Sequence, residues 1–156
     1  MSLKNLIAGW AQPGRVEWIG LRPERRSEMT VVDEVMVSAD GLDGDRSRAG
    51  KRAVTVIQQE HLAAIGSYLG QGSVAPEILR RNLVVSGINL AALKGREVQV
   101  GEAILRYTVI CAPCSRMEEV LGKGGYSAVR GHGGWCAEVV RPGRVRLDDP
   151  VQPVEL

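Results

Sequence analysis

The stretch from Ile104 to Glu138 reads ILRYTVICAPCSRMEEVLGKGGYSAVRGHGGWCAE. An apolar run ends in Cys111-Ala-Pro-Cys114, a short helical segment follows, and two glycine-rich turns then flank Arg130 and His132. All three cysteines of the chain and one of its two histidines lie here. The β-branched run predicts a strand, and Cys114 falls where a helix opens, with Arg116 two residues on. Helix-terminal amides and a neighbouring guanidinium both stabilise negative charge on sulfur, so the segment points to thiol chemistry.

Working outward, the flanking sequence predicts short strands and frequent turns. Glu97–Val100 and Ala103–Ile110 read as a hairpin turned at Gly101-Glu102. On the N-terminal side, Val16–Leu21 and Met29–Ser38 read as a hairpin across the charged loop RPERRSE, and Gly41–Gly50 as a loop. Ala53–Ile57 reads as a buried strand running into a helix with Leu62, Ile65 and Leu69 at helical spacing and Gly70 as its stop. Pro76 suits the first turn of a brief helix, and Asn82–Ile88 reads as the next strand. Beyond the central stretch, WCAEVV reads as a strand, PGR as a turn and VRL as its partner. Strands outnumber helices, which predicts a mostly β, barrel-like fold or strongly bent sheet with a few short helices.

Composition bounds the rest. At 156 residues the chain is expected to be a single domain over 1–156, able to bury a core without metal or disulfide staples. Phenylalanine is absent, so the core falls to Val, Ile, Leu and Ala, while nineteen glycines and seven prolines fit many turns. A net charge of +2 is too small to argue a nucleic-acid partner. Arginine outnumbers lysine sixteen to four, and its planar fork suits phosphate or carboxylate, which favours a small anionic cofactor or substrate. Three cysteines, two of them only three apart, do not resemble a secreted disulfide framework. With no signal-type or membrane-spanning run, the expected setting is cytoplasmic, without a membrane partner.

The Cys111/Cys114 pair admits several readings. A strand, C-x-P-C and a helix are how thioredoxin-like proteins display a dithiol, but too little chain follows for that fold. A zinc knuckle would need a second close ligand pair where only His132 and Cys136 follow. Both cysteines could also be small buried hydrophobes. The run Arg130-Gly-His-Gly-Gly134 either closes tight turns or offers Arg130, His132 and the amides of Gly131 and Gly133 to an anion. Arg80 and Asn82, placed by alternation on one face with Arg81 on the other, suit an oxyanion clamp. Gly41-Leu-Asp-Gly-Asp-Arg46 lacks the spacing of a calcium loop, so Asp43 and Asp45 read as turn formers or as partners that orient arginines.

Taken together, GLDGDR, VTVIQQEHL, LRRNLVVSGINL, LKG, CAPCSRMEE, GGYSAVRGHGG and the closing DDPV resemble the MOSC domain, named for the C-terminal domain of molybdenum cofactor sulfurase. The likeness runs from about Val31 to Val154 and is to the short, stand-alone bacterial members. It implies a compact barrel similar to the pyruvate-kinase β-barrel domain and a pocket for a molybdopterin-type cofactor. It also implies a cysteine that carries sulfur or ligates molybdenum. The strand ending in Cys111-Ala-Pro-Cys114 is similar to one in the amidoxime-reducing members whose second cysteine binds the metal. By that match Cys114 is metal ligand and catalytic sulfur, Cys111 is secondary, and Arg80-x-Asn82 contacts cofactor. Ser115, Arg116, Arg130, Gly131, His132 and Gly133 complete the expected cofactor-binding set. No pyridoxal phosphate is expected, because the desulfurase domain of the full sulfurase has no counterpart here. The expected function is sulfur carriage or molybdenum-dependent reduction of N-hydroxylated compounds, served by a sulfur-donor or electron-transfer protein. Two alternatives stand beside it: a metal-free thiol or persulfide relay in which Cys114 attacks and Cys111 resolves, and a non-catalytic ligand-binding module.

Overall fold

The structure, a computed structural model, describes residues 1–155. In chain order the elements are α1 (Leu3–Ala8), β1 (Gly14–Leu21), β2 (Thr30–Val32), β3 (Glu34–Ser38), β4 (Gly41–Leu42), β5 (Val54–Gln58), α2 (Gln59–Tyr68), α3 (Pro76–Leu79) and β6 (Leu83–Ser86). A 3₁₀ turn (Leu90–Leu93) leads to β7 (Glu97–Val100), β8 (Ala103–Ile110), α4 (Ser115–Leu121), α5 (Gly125–Val129), β9 (Trp135–Arg141), β10 (Gly143–Arg146) and β11 (Pro150–Pro153).

Seven strands close a barrel in the order β11-β7-β8-β9-β5-β6-β1, and β1 pairs back onto β11 through Gly14↔Val151. Closure removes the open sheet edges that would otherwise invite pairing with another chain. β2 extends the sheet beyond β1, and β10, β3 and β4 form a separate three-stranded sheet. Neighbours in the barrel are antiparallel except β5 and β6, which run parallel because α2 and α3 form the crossover between them.

Alternation along the strands divides the apolar residues between two cores. Val54, Val56, Leu83, Val85, Val98, Val100, Leu105 and Tyr107 belong to the barrel core, joined by Val35, Val37 and Val145 of the small sheet. Ile57 and Val84 point the other way and pack with Leu62, Ile65, Leu79, Met117 and Val129 of the helices. β5 is therefore buried along its whole length, and its two polar residues are hydrogen-bonded, Thr55 to Asn82 and Gln58 to the Leu90 amide. With no phenylalanine available, Tyr107 is the largest fully buried side chain.

The mostly β barrel, the helix over Gln59–Tyr68, the Pro76 helix start and the hairpin at Gly101-Glu102 match the sequence reading. Two pairings differ. Met29–Ser38 divides at Asp33: β2 pairs with β1, whereas β3 leaves for the small sheet. The strand after the Pro142-Gly143 turn does not fold back on β9; β10 pairs with β3 instead, Val145 opposite Val35. That pairing puts Val145 in the core, and no sequence-local signal announces so distant a partner. α1, unforeseen, has a Ser2 N-cap and buries none of its residues. No helix among the described residues is long and apolar enough to cross a membrane.

Gly134 shows how tightly the glycine-rich turn is set against the barrel. Its φ is +92°, and an added Cβ would run into the Val56 carbonyl oxygen. Gly134→Ala is expected to destabilise the fold by roughly 3 kcal/mol, strain and backbone clash together. Urea denaturation checks this, and an unchanged midpoint would contradict it.

Candidate functional site

The chain leaves β8 at Ile110, crosses Cys111-Ala-Pro and enters α4 with Cys114 as N-cap, so that Cys111 is buried and Cys114 exposed. Pro113 cannot continue a ladder, which suits it to this exit. α4 is tied to α5 by Glu118, whose carboxylate accepts from the amides of Gly124 (3.1 Å) and Tyr126 (3.0 Å). Those bonds, Tyr126's first, hold the Glu118 carboxyl below its ordinary range.

Cys114, Ser115 and Arg116 line an open cleft of about 960 Å³. Its other walls carry Arg22, Arg25, Arg26, Arg46, Arg48, Lys51, Arg52 and Arg80. Nine of the chain's twenty lysines and arginines thus converge on one cleft, and no carboxylate lines it among the described residues. The modest net charge hides this segregation. Burial lowers the Arg80 pKa, and the guanidiniums of Arg22 and Arg116 lower it further. Like charges held this close favour an anionic ligand.

The cleft wall is built, not merely decorated. Asp45, its side chain fully buried, accepts from Arg22 at Nε (3.1 Å), Nη2 (2.9 Å) and the backbone amide (2.6 Å). The bidentate fork fixes Arg22, and Asp45 thereby orients an arginine as its sequence context allows. Arg80 donates to the carbonyls of Ser27 and Glu24, which pins the 22–29 loop. Arg26 (φ +62°) and Arg80 (φ +57°) are two of the three non-glycine residues with positive φ among the described residues, and both line the cleft. Such backbone costs about 1–3 kcal/mol per residue and persists where surrounding contacts over-determine it.

The other expected site residues lie elsewhere. Asn82 is fully buried and faces no cleft. Its Oδ1 accepts from the Thr55 amide (3.0 Å) and hydroxyl (3.2 Å), and its Nδ2 donates to the Gly20 carbonyl (3.1 Å). Asn82 therefore ties β1 to β5 behind Arg22 rather than facing a ligand. Asn82→Leu leaves the buried Thr55 amide without an acceptor, so a loss of about 3 kcal/mol is expected in thermal or urea unfolding. Arg81 does face away from Arg80, donating to the carbonyls of Gly133 (2.7 Å) and Leu79 (2.8 Å).

Cys111, Arg130, Gly131 and Gly133 line a second cavity of about 270 Å³, walled also by His61, Ile110, Tyr126 and Trp135. The glycine run contributes close packing: a Cβ on Gly133 would meet the Cys111 carbonyl. His132 packs on His61 and Tyr68, with ring centroids 4.9 and 5.5 Å away, and its buried Nδ1 has no hydrogen-bond partner. Burial first, and His132 second, lower the His61 pKa. Cys111 Sγ lies 3.4 Å from Cys136 Sγ. The hydrogen bond between them lowers Cys136 to about 7 and, with burial, pushes Cys111 up, so the pair holds one proton firmly and releases the other readily.

The residues missed in the sequence are Arg22, Arg25, Arg26, Arg46, Arg48, Lys51 and Arg52, all in the stretches RPERR and RSRAGKR. Arginine enrichment in two loops was the available signal.

In structure the chain is similar to the YuaD protein of Bacillus subtilis, with TM-score 0.78 and 20% identity over 92% of this chain and 97% of that one. It is similar also to YiiM of Escherichia coli (TM-score 0.70, 23% identity, 91% and 70% covered) and YiiM of Geobacillus stearothermophilus (0.75, 17%, 92% and 76%). At these identities the likeness speaks for the fold. No curated protein sequence matches the chain significantly. The MOSC domain matches residues 43–152, a span from the Asp45 loop through β11 that includes the cleft residues Arg80, Cys114 and Arg116, and the chain belongs to the MOSC domain family.

Proposed function

We propose that the cleft around Cys114 binds a molybdenum cofactor or a related sulfurated metal species. The chain then acts as a sulfur carrier or as a molybdenum-dependent reductase of N-hydroxylated compounds. The observation that carries this reading is the meeting of one exposed thiol with nine cationic side chains and, among the described residues, no lining carboxylate.

The donor set fits such a group. A thiolate is a soft ligand suited to molybdenum already held by sulfur, and guanidinium forks suit a phosphate. Cys114 would ligate the metal or carry a sulfane sulfur. Arg80 and Arg116 would hold the anionic end, and Ser115 offers a hydroxyl donor. Arg22, fixed by Asp45, presents its charge in a set orientation, so little ordering entropy is lost on binding. When bound, the metal supplies redox chemistry or a transferable sulfur. The chain supplies orientation, charge neutralisation and the thiol.

The reading includes cytoplasmic residence and a sulfur-donor or electron-transfer protein as partner. It is tested by metal, pterin and phosphorus analysis of protein made in a host competent for molybdenum cofactor synthesis. About one molybdenum per chain with co-purifying pterin is expected; protein free of both would overturn the reading.

A further inference from the structure

Cys111 and Cys136 play no part in the cleft, yet their sulfurs are in contact at 3.4 Å. The contact is a product of the barrel. Ile110 pairs with Trp135 across β8 and β9, and the Cys111 amide donates to the Gly134 carbonyl at 2.9 Å. Two thiols twenty-five residues apart are thereby held side by side. Bringing them to a disulfide bond length near 2.05 Å asks for a movement of roughly 1.4 Å, within reach of side-chain rotation.

Both thiols are buried, with 9% of Cys111 and 6% of Cys136 exposed, which shields them from bulky reagents. Cys111, however, forms part of the wall of the 270 Å³ cavity, a space ample for an oxidant of a few atoms. We infer that Cys111 and Cys136 form a dithiol–disulfide redox site, closed by a small peroxide entering through this cavity and reopened by a small thiol. This inference is independent of what the Cys114 cleft binds.

The chemistry balances with hydrogen peroxide as the oxidant. Cys136, the more acidic thiol of the pair, as thiolate takes the Cys111 proton across the 3.4 Å contact as Cys111 sulfur attacks one peroxide oxygen; an S–O bond forms, the O–O bond breaks, and the departing hydroxide takes a proton from solvent. Cys136 sulfur then attacks Cys111 sulfur, the S–S bond forms, and the S–O bond breaks with loss of a second water, which carries the Cys136 proton. Two thiols are oxidised by two electrons and one peroxide is reduced to two waters. The bond formed ties together the two ends of the segment that carries Cys114, α4, α5 and the glycine turn.

The test is peptide mapping. Native protein is treated with hydrogen peroxide, unfolded, alkylated, digested and examined by mass spectrometry without reduction. The expected result is a Cys111–Cys136 linked peptide lacking two hydrogens, reversed by dithiothreitol, with Cys114 alkylated or separately oxidised. Cys114→Ser protein should give the same link, and Cys136→Ser should give none. A Cys111–Cys114 link in the wild type, or Cys111 and Cys136 both alkylated while Cys114 is oxidised, would overturn the inference. Because the wild-type map decides the matter, a Cys136→Ser protein that fails to fold leaves the test intact.

Discussion

Cys114→Ser protein is expected to lose at least about tenfold in molybdenum content when purified from a competent host, a deficit of about 1.4 kcal/mol or more in binding. A serine hydroxyl is a hard donor that stays protonated near neutral pH, so the substitution removes the soft ligand while changing one atom. Stability should hold within about 0.5 kcal/mol, because Cys114 is exposed. Cys111→Ser gives the contrasting pattern. Its sulfur is buried against Cys136, so stability should fall while molybdenum content is largely kept. If both variants lost metal equally, the division between an exposed ligand thiol and a buried pair would be wrong.

Arg46→Glu with Arg116→Glu is expected to weaken binding of a phosphorylated pterin about a hundredfold at low salt, because each change replaces an attraction by a repulsion. Neither side chain makes a hydrogen bond or ion pair within the chain among the described residues, so the fold should tolerate the change. Raising ionic strength should shrink the difference, since the cleft is open and exposed charges are screened over about 8 Å at physiological salt. Titration at two salt concentrations reads both effects. Equal affinity for wild type and variant at low salt would remove the cleft from the account. A salt-independent difference would assign the loss to shape rather than charge.

Much of this was legible where the signal is local. The helix start after Cys111-Ala-Pro is where the sequence put it, with Cys114 as the N-cap of α4, and the Gly101-Glu102 turn fixed β7 against β8. What the sequence concealed depends on contacts between distant segments. RPERR and RSRAGKR each read as a solvated loop, and only the closed barrel brings them together with Arg80 and Arg116. The thiol partner of Cys111 is Cys136 because β8 pairs with β9, although Cys114 is nearer in sequence. Asn82 illustrates a rule carried past its range. Strand alternation begins only at Leu83, and Arg80, at φ +57°, turns the chain before it, so Arg80 and Asn82 do not share a face. The resemblance carried by the ordered motifs located the family, whereas the arginine lining of the cleft came from the fold.

The most direct test of the central claim, that the ligand of this cleft meets Cys114, is thiol protection. Protein loaded with molybdenum cofactor and protein stripped of it are treated with iodoacetamide under native conditions, and modification of Cys114 is followed by peptide mass. Protection of Cys114 in proportion to molybdenum content, with rapid alkylation in the stripped protein, is the predicted result. Alkylation of Cys114 at the same rate in fully loaded and stripped protein would contradict it.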